Sequence, residues 1–452
     1  MEWPSLSPAS TDPVPSVGGA ISPSLPESYR SIPITHGASF FRKMIAFAGP
    51  GYLVAVGYMD PGNWATDLGG GSRFGYTLLS AVLISSLMAI FLQALSAKLG
   101  IATGRDLAQA CREHYSRRTT AVLWVLCEIA IAACDLAEVL GSAVALKLLF
   151  GLPLLAGVLL TGLDVLFILA LQGRGFRVLE TLVITLILTI AGCFAYEIFF
   201  ARPLWLEAVH GFLPTATILK DREMLYLAIG ILGATVMPHN LYLHSSIVQT
   251  RAFSLNSDGK REAIRFATLD STLALGFSFF INAAILILGA AAFHVRGLTS
   301  VADISQAYQL LTPVLGASFA SVLFAAALLC SGQNSTLTGT LAGQIVMEGF
   351  LHWRLKPWLR RLITRSLAII PAAIVIGLMG EGRVTALLIL SQVILSFQLP
   401  FAVVPLIQFT GDRSKMGEFA NGRATAIFGW VMAAAIIFLN GALLWLIFGG
   451  KP

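Results

Sequence analysis

Eleven long apolar runs dominate the chain and leave few alternatives to a helical membrane protein. Their approximate limits are 44–70, 76–101, 120–148, 153–172, 178–201, 224–249, 267–294, 314–346, 362–379, 384–409 and 424–448. A helix needs roughly 17–25 apolar residues to cross the hydrocarbon core of a bilayer, and every run reaches that length. Because backbone N–H and C=O groups must pair internally in lipid, we expect the runs to be helices.

The composition of the 452 residues excludes the common alternatives. Hydrophobic residues make up 56% of the chain and charged residues only 12%, whereas a soluble domain carries roughly 25% charged residues. A transmembrane β-barrel would show segments of about ten residues with alternating polarity, and the sequence has no such pattern. We therefore predict an all-α integral membrane protein with 11 transmembrane helices.

The first 40 residues differ in composition from the rest of the chain. They contain seven of the 19 prolines and many serines, and no apolar run among them would serve as the core of a signal peptide. We predict a disordered cytoplasmic tail over residues 1–40, followed by a single transmembrane domain over residues 41–449.

The basic residues predict the orientation of the chain in the membrane. With the N-terminus in the cytoplasm, 22 of the 30 lysines and arginines fall in the tail and in cytoplasmic loops, including the loop at 354–365, as the positive-inside rule requires. Eleven spans then place the C-terminus on the periplasmic or extracellular side. This distribution accounts for the net charge of +6, so we expect no nucleic-acid partner. Compact loops and the lack of a signal peptide favour a bacterial inner membrane.

Two of the runs contain helix-breaking residues at their centres. Glycine and proline occur within 57–63 of the first run and within 233–240 of the sixth. Proline removes a backbone donor, and glycine tolerates an open backbone. The two runs are the first members of successive groups of five, and five is odd, so the second group enters the membrane from the opposite side. Paired broken helices in inverted repeats indicate the central site of a secondary transporter.

The side chains at these two interruptions indicate a cation site. Asp60 and Asn63 offer oxygen ligands, Met237 offers a thioether, and unwound carbonyl groups such as those of Gly57 and Ala234 can add further oxygens. A carboxylate inside a membrane is costly, and its cost falls when a cation binds beside it. A thioether next to a carboxylate favours Mn²⁺, Fe²⁺ or softer ions over Mg²⁺ and Ca²⁺, which prefer oxygen alone.

A second set of titratable residues indicates a proton or cation pathway. At 100° per residue, Glu128, Asp135 and Glu138 of the third run lie within about 80° of helix circumference. Several acids on one face of a membrane helix are a functional hypothesis by default. His239 and His244 of the sixth run add side chains that titrate near neutral pH.

Two other functions remain open on these residues. The first is a sodium-coupled organic-solute symporter of the same architecture, although Asp60 would repel a substrate carboxylate. The second is an intramembrane metalloenzyme that uses Asp60, His239 and His244, although the sequence has no HExxH or similar catalytic spacing. No ATP-binding signature occurs, so we expect ion gradients to drive transport without ATP.

The motifs at 60–63 and 237–239, together with the stretch 332–344, resemble the signatures of the Nramp family of proton-coupled divalent metal transporters. The resemblance extends from about residue 44 to residue 448. It implies the LeuT-like fold, in which spans 1–5 and 6–10 are inverted five-helix repeats with broken helices 1 and 6, and an eleventh helix is added. A related magnesium-transporting branch lacks this pattern, and Met237 argues against membership of that branch.

The resemblance also implies roles for individual residues. The metal site that it implies consists of Asp60, Asn63, Met237, Ala234, Gly57 and Gln392. The proton pathway that it implies consists of Asp60, Glu128, Asp135, Glu138, His239, His244, Arg360 and Arg361. We therefore expect a transporter rather than an enzyme. It should be a monomer in the lipid membrane, with divalent cations and protons as substrates and no bound cofactor.

Overall fold

Helices account for nearly all of the computed structural model, which describes residues 23–34, 37, 39–163, 176–299, 301, 303–317, 319–351 and 357–448. In chain order the α-helices are α1 Phe40–Phe47, α2 Pro50–Gly57, α3 Pro61–Phe74, α4 Leu79–Thr103, α5 Leu107–His114, α6 Arg117–Phe150, α7 Leu154–Leu160, α8 Phe176–Ala201, α9 Trp205–Gly211, α10 Thr217–Lys220, α11 Arg222–Thr235, α12 Pro238–Ile247, α13 Ser257–Ala292, α14 Ile304–Leu315, α15 Ala320–Leu351, α16 Pro357–Met379, α17 Val384–Gly411, α18 Arg413–Met416 and α19 Arg423–Ile447. Single 3₁₀ turns lie at Thr161–Leu163, Val248–Thr250, His294–Arg296, Glu381–Arg383 and Gly417–Phe419. The strands β1 Ile32–Pro33 and β2 Arg251–Ala252 form one parallel pair.

Many of these helices can cross a membrane. Seven helical segments in the described ranges are long and apolar enough to do so: Leu79–Thr103, Arg117–Phe150, Phe176–Ala201, Arg222–Thr250, Ser257–Arg296, Glu381–Gly411 and Arg423–Leu446. Two shorter apolar segments, Leu154–Leu163 and Leu362–Leu378, fall in the fourth and ninth predicted spans. The fourth span continues into residues that lie outside the described ranges. The prediction of a helical membrane protein is confirmed, and the count of 11 spans stays a prediction.

Both predicted helix interruptions are present. α2 ends at Gly57, and α3 begins at Pro61 with Asp60 as its N-cap residue. In the sixth span α11 ends at Thr235, and α12 begins at Pro238. Proline favours the first position of a helix because its φ is already helical and no N–H is needed there. Pro61 and Pro238 therefore interrupt the two spans and also begin the second helix of each span.

The open backbone of the first break finds hydrogen-bond donors on two neighbouring helices. The side-chain amide of Asn282 in α13 donates to the carbonyl oxygen of Tyr58 at 2.8 Å. The hydroxyl of Ser331 in α15 donates to the carbonyl oxygen of Met59. A carbonyl group left unpaired in a nonpolar medium costs several kcal/mol. These side chains therefore allow the helix to stay interrupted within the membrane.

Small residues let the broken helices approach their neighbours closely. α13 packs along α3 and α4, α6 packs along α15, and α11 packs along α17. A Cβ atom on Gly233 of α11 would lie only 2.0 Å from the Gln392 carbonyl oxygen. A Cβ atom on Gly141 of α6 would lie 2.1 Å from the Cβ atom of Pro61. These glycines bring α17 to the second break and α6 to the first.

The N-terminal segment is folded over residues 23–34, where the structure differs from the predicted disordered tail over residues 1–40. Its strand β1 pairs with β2 at the end of the sixth span. Leu25 is 8% exposed and packs on the main core. The order comes from backbone pairing with a distant segment, which composition does not report. Residues 1–22 lie outside the described ranges.

Gly233→Ala should destabilise the protein because the added Cβ atom would overlap the main chain of α17. We expect a loss of about 1–3 kcal/mol, the usual cost of overpacking, seen as a lower thermal unfolding midpoint of the detergent-purified protein. Gly276→Ala on α13 is the matched control, since no described atom lies within 4 Å of its added Cβ. An unchanged midpoint for Gly233→Ala would contradict the close contact of α11 with α17.

Candidate functional site

Residues from both helix breaks and from α17 meet at one position inside the protein. A Cβ atom on Gly57 would lie 3.2 Å from the Met237 sulfur, so the thioether of the second break lies directly beside the first. Gln392 Nε2 lies 3.5 Å from Asp60 Oδ2. Gly62 leaves room for this amide, because a Cβ atom there would lie 1.6 Å from Gln392 Nε2. Three segments far apart in sequence therefore form one cluster.

The polar groups of this cluster are buried and only partly paired. Asp60, Met237 and Gln392 are 0% exposed, and Asn63 is 1% exposed. Asp60 Oδ1 accepts a hydrogen bond from the Asn63 backbone N–H at 2.9 Å, which caps α3 and fixes the carboxylate. Among the described residues, Asn63 Oδ1 and Gln392 Oε1 have no hydrogen-bond partner. A buried acceptor without a hydrogen-bond partner raises the free energy of the folded protein. A cation that binds these two oxygens would offset that cost.

The two predicted carbonyl donors lie at the ends of the first halves of the broken helices. Gly57 is the last residue of α2, and Ala234 is the last but one of α11; both are buried. The last four carbonyl groups of a helix lack intrahelical partners, and the helix dipole there favours a positive charge. Both carbonyl groups are thus in positions where a helix can stabilise a cation.

The donor set differs from a cluster of strong metal ligands. No group of three or more His, Cys, Asp or Glu side chains within the described ranges is placed to hold a metal ion. The candidate site instead combines the Asp60 carboxylate, side-chain amides and the Met237 thioether. Mixed oxygen and sulfur donors suit borderline divalent ions.

Glu138 of α6 forms a buried ion pair with an arginine of α16. Arg365 Nη1 lies 3.3 Å from Glu138 Oε2, and the two side chains are 5% and 0% exposed. Ser335 Oγ donates to Glu138 Oε1 at 2.7 Å. Arg365 Nη2 also donates to Thr336 Oγ1 at 2.9 Å. The negative charge of Glu138 is therefore balanced within the protein.

The count of basic residues places Arg365 in a cytoplasmic loop, and this is wrong because its side chain is buried against α6. The signal for its role is its position, since Arg365 is the only charged residue of the apolar run 362–379. A lone charge within a membrane helix is usually paired and functional. The predicted Arg360 and Arg361 lie within α16, and their side chains lie outside the described part of the structure.

The other acids of α6 lie at different positions along the predicted pathway. Asp135 is 5% exposed. A Cβ atom on Gly339 of α15 would lie 3.3 Å from Asp135 Oδ1 and 3.1 Å from Glu138 Oε1, so both acids lie against the same glycine. Glu128 is half-buried two turns earlier and accepts a hydrogen bond from Trp124 Nε1 at 3.0 Å. The structure thus brings Asp135 and Glu138 together and places Glu128 apart from them.

The two predicted histidines of the sixth span differ in their surroundings. His239 is 1% exposed, and its Nδ1 atom has no partner among the described residues. His244 Nδ1 lies 3.0 Å from Gln93 Oε1, and Gln93 Nε2 donates to the Tyr58 hydroxyl at 2.7 Å. Tyr58 belongs to the first break, so this chain of hydrogen bonds connects His244 to a residue of that break. Sequence reasoning missed Gln93, whose signal is an amide within an apolar run.

Two further buried acids have contrasting environments. Asp270 accepts hydrogen bonds from the backbone N–H groups of Gly49 at 3.3 Å and Gly51 at 2.7 Å, so it caps the start of α2. Asp67 lies two turns after Asp60 on α3 and is 1% exposed, and its Oδ2 atom has no partner in the described ranges. Asp270 thus has a structural role, whereas Asp67 is a candidate that sequence reasoning missed on the helix that carries Asp60.

The chain is similar to one family of proteins over most of its length. The family profile described as Nramp, natural resistance-associated macrophage protein-like, matches residues 51–446. A relative from Nostoc sp., named divalent metal cation transporter MntH, is 62% identical over 422 residues, which are 93% of this chain and 96% of that protein.

Solved structures agree with the architecture. A manganese transporter of Eremococcus coleocola is 41% identical and has a TM-score of 0.87, with 95% of this chain and 93% of that chain covered. Mhp1, a nucleobase-cation-symport-1 family transporter, is 14% identical with a TM-score of 0.60, and the match covers 92% of this chain and 91% of that chain. At such low identity the second likeness shows the fold alone. The predicted LeuT-like fold is confirmed.

Arg365→Gln should be strongly destabilising because it leaves the Glu138 carboxylate buried without its cation. Removing one partner of a buried ion pair costs roughly 3–5 kcal/mol, and the thermal unfolding midpoint of the purified protein should fall accordingly. Adding Glu138→Gln to this variant should recover much of the loss.

The control for the Arg365 and Glu138 variants is the exposed ion pair between Arg261 and Glu418. Arg261→Gln should leave the midpoint nearly unchanged, since exposed ion pairs contribute little. Equal effects of Arg261→Gln and Arg365→Gln would contradict the buried pair.

Proposed function

The chain belongs to the Nramp family, and from this premise we propose that it imports divalent transition-metal cations, chiefly Mn²⁺ and Fe²⁺, together with protons by alternating access. It is a membrane transporter and not an enzyme. A relative is named a divalent metal cation transporter, and a solved relative is a manganese transporter. The observation that carries the proposal is the buried cluster of Asp60, Asn63, Met237 and Gln392 at the two helix breaks.

In this proposal the cation binds between the two breaks. Asp60 supplies the negative charge, and the oxygens of Asn63 and Gln392 that lack hydrogen-bond partners supply neutral ligands. The carbonyl groups of Gly57 and Ala234 add oxygens from the helix ends. The Met237 thioether favours Mn²⁺, Fe²⁺ and softer ions over Ca²⁺ and Mg²⁺, because the latter two bind oxygen ligands.

Proton coupling follows from the same carboxylate. A divalent cation beside Asp60 and a proton on Asp60 exclude each other electrostatically, so metal binding displaces the proton. α6 runs beside the first break, since Gly141 contacts Pro61 one turn after Glu138. We therefore propose that the proton passes to the acids of α6. The proposed pathway comprises Asp60, Glu128, Asp135, Glu138, His239, His244, Arg360 and Arg361, with Arg365 added as the ion-pair partner of Glu138.

In this proposal the membrane potential drives transport, and the halves of the two broken helices move. An inside-negative potential attracts each positive charge by about 2.3 kcal/mol per 100 mV, so it drives both Mn²⁺ and a proton inward. The breaks divide each helix into halves, α2 with α3 and α11 with α12, which can tilt separately around the site. We propose a monomer in a bacterial inner membrane, with a cytoplasmic N-terminus and a periplasmic or extracellular C-terminus.

The close packing around the cluster favours an ion over an organic solute. The space beside Gly57 is filled by the Asn240 amide, whose nitrogen would lie 2.2 Å from an added Cβ atom. The space beside Gly62 is filled by the side chain of Gln392. An organic substrate would have to displace both groups, whereas a single ion needs much less space.

Asp60→Ala should abolish Mn²⁺ uptake because it removes the carboxylate at the two breaks. The assay is fluorescence quenching by Mn²⁺ inside proteoliposomes, with an inside-negative potential and an inward proton gradient. Wild-type uptake should rise when the gradient is imposed and should be absent in Asp60→Ala. Asp258→Ala removes an exposed carboxylate at the start of α13 and should transport normally. Wild-type uptake rates in Asp60→Ala would sink the proposal.

Met237→Ala should weaken Mn²⁺ and Cd²⁺ uptake by roughly tenfold, about 1.4 kcal/mol, and should weaken the rejection of Ca²⁺. The reason is that the thioether is the soft ligand of the set. Competition of Mn²⁺ uptake by Ca²⁺ measures this selectivity. Met432→Ala truncates a methionine of α19 that is also buried, at 5% exposure, and controls for lost packing. The thioether role is excluded if the Ca²⁺ competition curves of Met237→Ala and Met432→Ala coincide.

A further inference from the structure

A cavity with basic residues in its lining lies apart from the candidate site, between the N-terminal segment and the ends of the second, sixth and seventh spans. Its volume is about 150 Å³, and its lining includes Arg30, Arg251 and Lys260. One water needs roughly 10–15 Å³ of such volume, so the cavity has room for several waters or for one tetrahedral oxyanion. Among the described residues, the cavity lining contains three basic side chains and no Asp or Glu.

Two of the three positive charges have no carboxylate partner among the residues that the structure describes. Arg251 pairs with the buried Glu180 at 2.7 Å. Arg30 and Lys260 form no ion pair within the described ranges and donate to backbone carbonyl groups instead. Arg30 Nη2 lies 2.9 Å from the oxygen of Phe253, and Lys260 Nζ lies 2.8 Å from that of Ala102. Both side chains are partly buried, so solvent compensates their charges only in part.

Two other basic residues of this end of the protein have carboxylate partners, whereas Arg112 donates to the backbone carbonyl groups of Glu348 and Gly349. Lys43 pairs with Glu262, and Arg105 pairs with Glu113. Arg30 and Lys260 differ from these residues because both line one cavity, and its described lining contains no carboxylate.

The donors and acceptors of the cavity match a phosphate group. Arg251 Nε has no acceptor among the described residues although the side chain is 1% exposed. A buried donor without a protein partner calls for an explanation, and a bound water or anion is one. Guanidinium groups bind phosphate oxygens through paired N–H donors. Gln249 Oε1 also lines the cavity without a described partner, and it can accept the O–H of a singly protonated phosphate.

We propose that this cavity binds a phosphate-type oxyanion, supplied either as free phosphate or as the headgroup of an anionic lipid. Arg30 belongs to the segment that β1 attaches to β2, whereas Lys260 belongs to α13. An anion between them therefore attaches the N-terminal segment to the membrane domain. Juxtamembrane positive charge attracts both sources of the anion.

The test is thermal unfolding of the full chain in a zwitterionic detergent, in sodium phosphate and in sodium chloride at equal ionic strength and pH. Phosphate should raise the midpoint by roughly 2–4 °C, because a ligand that binds the folded state stabilises it. The rise should be lost in Arg30→Gln and in Lys260→Gln. It should persist in Arg42→Gln, which removes an exposed charge of α1 outside the cavity.

A second arm replaces phosphate with an anionic phospholipid or, as its control, a zwitterionic phospholipid. If only the anionic lipid raises the midpoint, and Arg30→Gln and Lys260→Gln abolish this rise, the site binds a lipid headgroup. Lys260→Arg should retain the rise. The proposal is overturned if neither ligand raises the midpoint, or if the rise is of equal size in wild type, Arg30→Gln and Lys260→Gln. The readout does not depend on metal transport, so it stands apart from the proposed function.

Discussion

The burial of the Asp60 carboxylate at an interrupted membrane helix is the constraint on which the rest of the structure depends. A charge in a nonpolar environment is costly unless something compensates it. Here Asp60 caps α3, where the positive end of the helix dipole and the Asn63 N–H stabilise it. This compensation is partial, and a cation or a proton can complete it. A site that is only partly compensated when empty is suited to binding an ion and releasing it again.

The two buried acids of the proposed mechanism differ in how their charge is balanced. Glu138 has Arg365 as a permanent partner at 3.3 Å. Asp60 forms no ion pair among the described residues, and its neighbours are neutral side chains such as Gln392. The need for a mobile positive charge is therefore greater at Asp60. Glu138 and Arg365 instead supply a fixed polar position beside the first break, since Gly141 of the same helix contacts Pro61.

Local features of this fold could be predicted from sequence because they depend on residues close together in the chain. Run length predicted the helices, and proline with glycine predicted both interruptions and thereby the position of Asp60 and Met237. Contacts between distant segments were harder to predict. Composition suggested that residues 23–34 were disordered, but β1 pairs with a strand more than 200 residues away. A count of charges places Arg365 in a loop because it has no information about the partner on α6. An amide in an apolar run does not show which break it approaches, so only the family resemblance assigns Gln392 to the metal site.

The central claim is that the ion binds where the two broken helices meet. Crystals grown with Mn²⁺ and measured by anomalous X-ray scattering at the manganese edge test it most directly, because the signal locates the ion itself. The account predicts one peak in contact with the Asp60 carboxylate and the Met237 sulfur. A crystal whose Mn²⁺ peaks all lie away from these two side chains would contradict it.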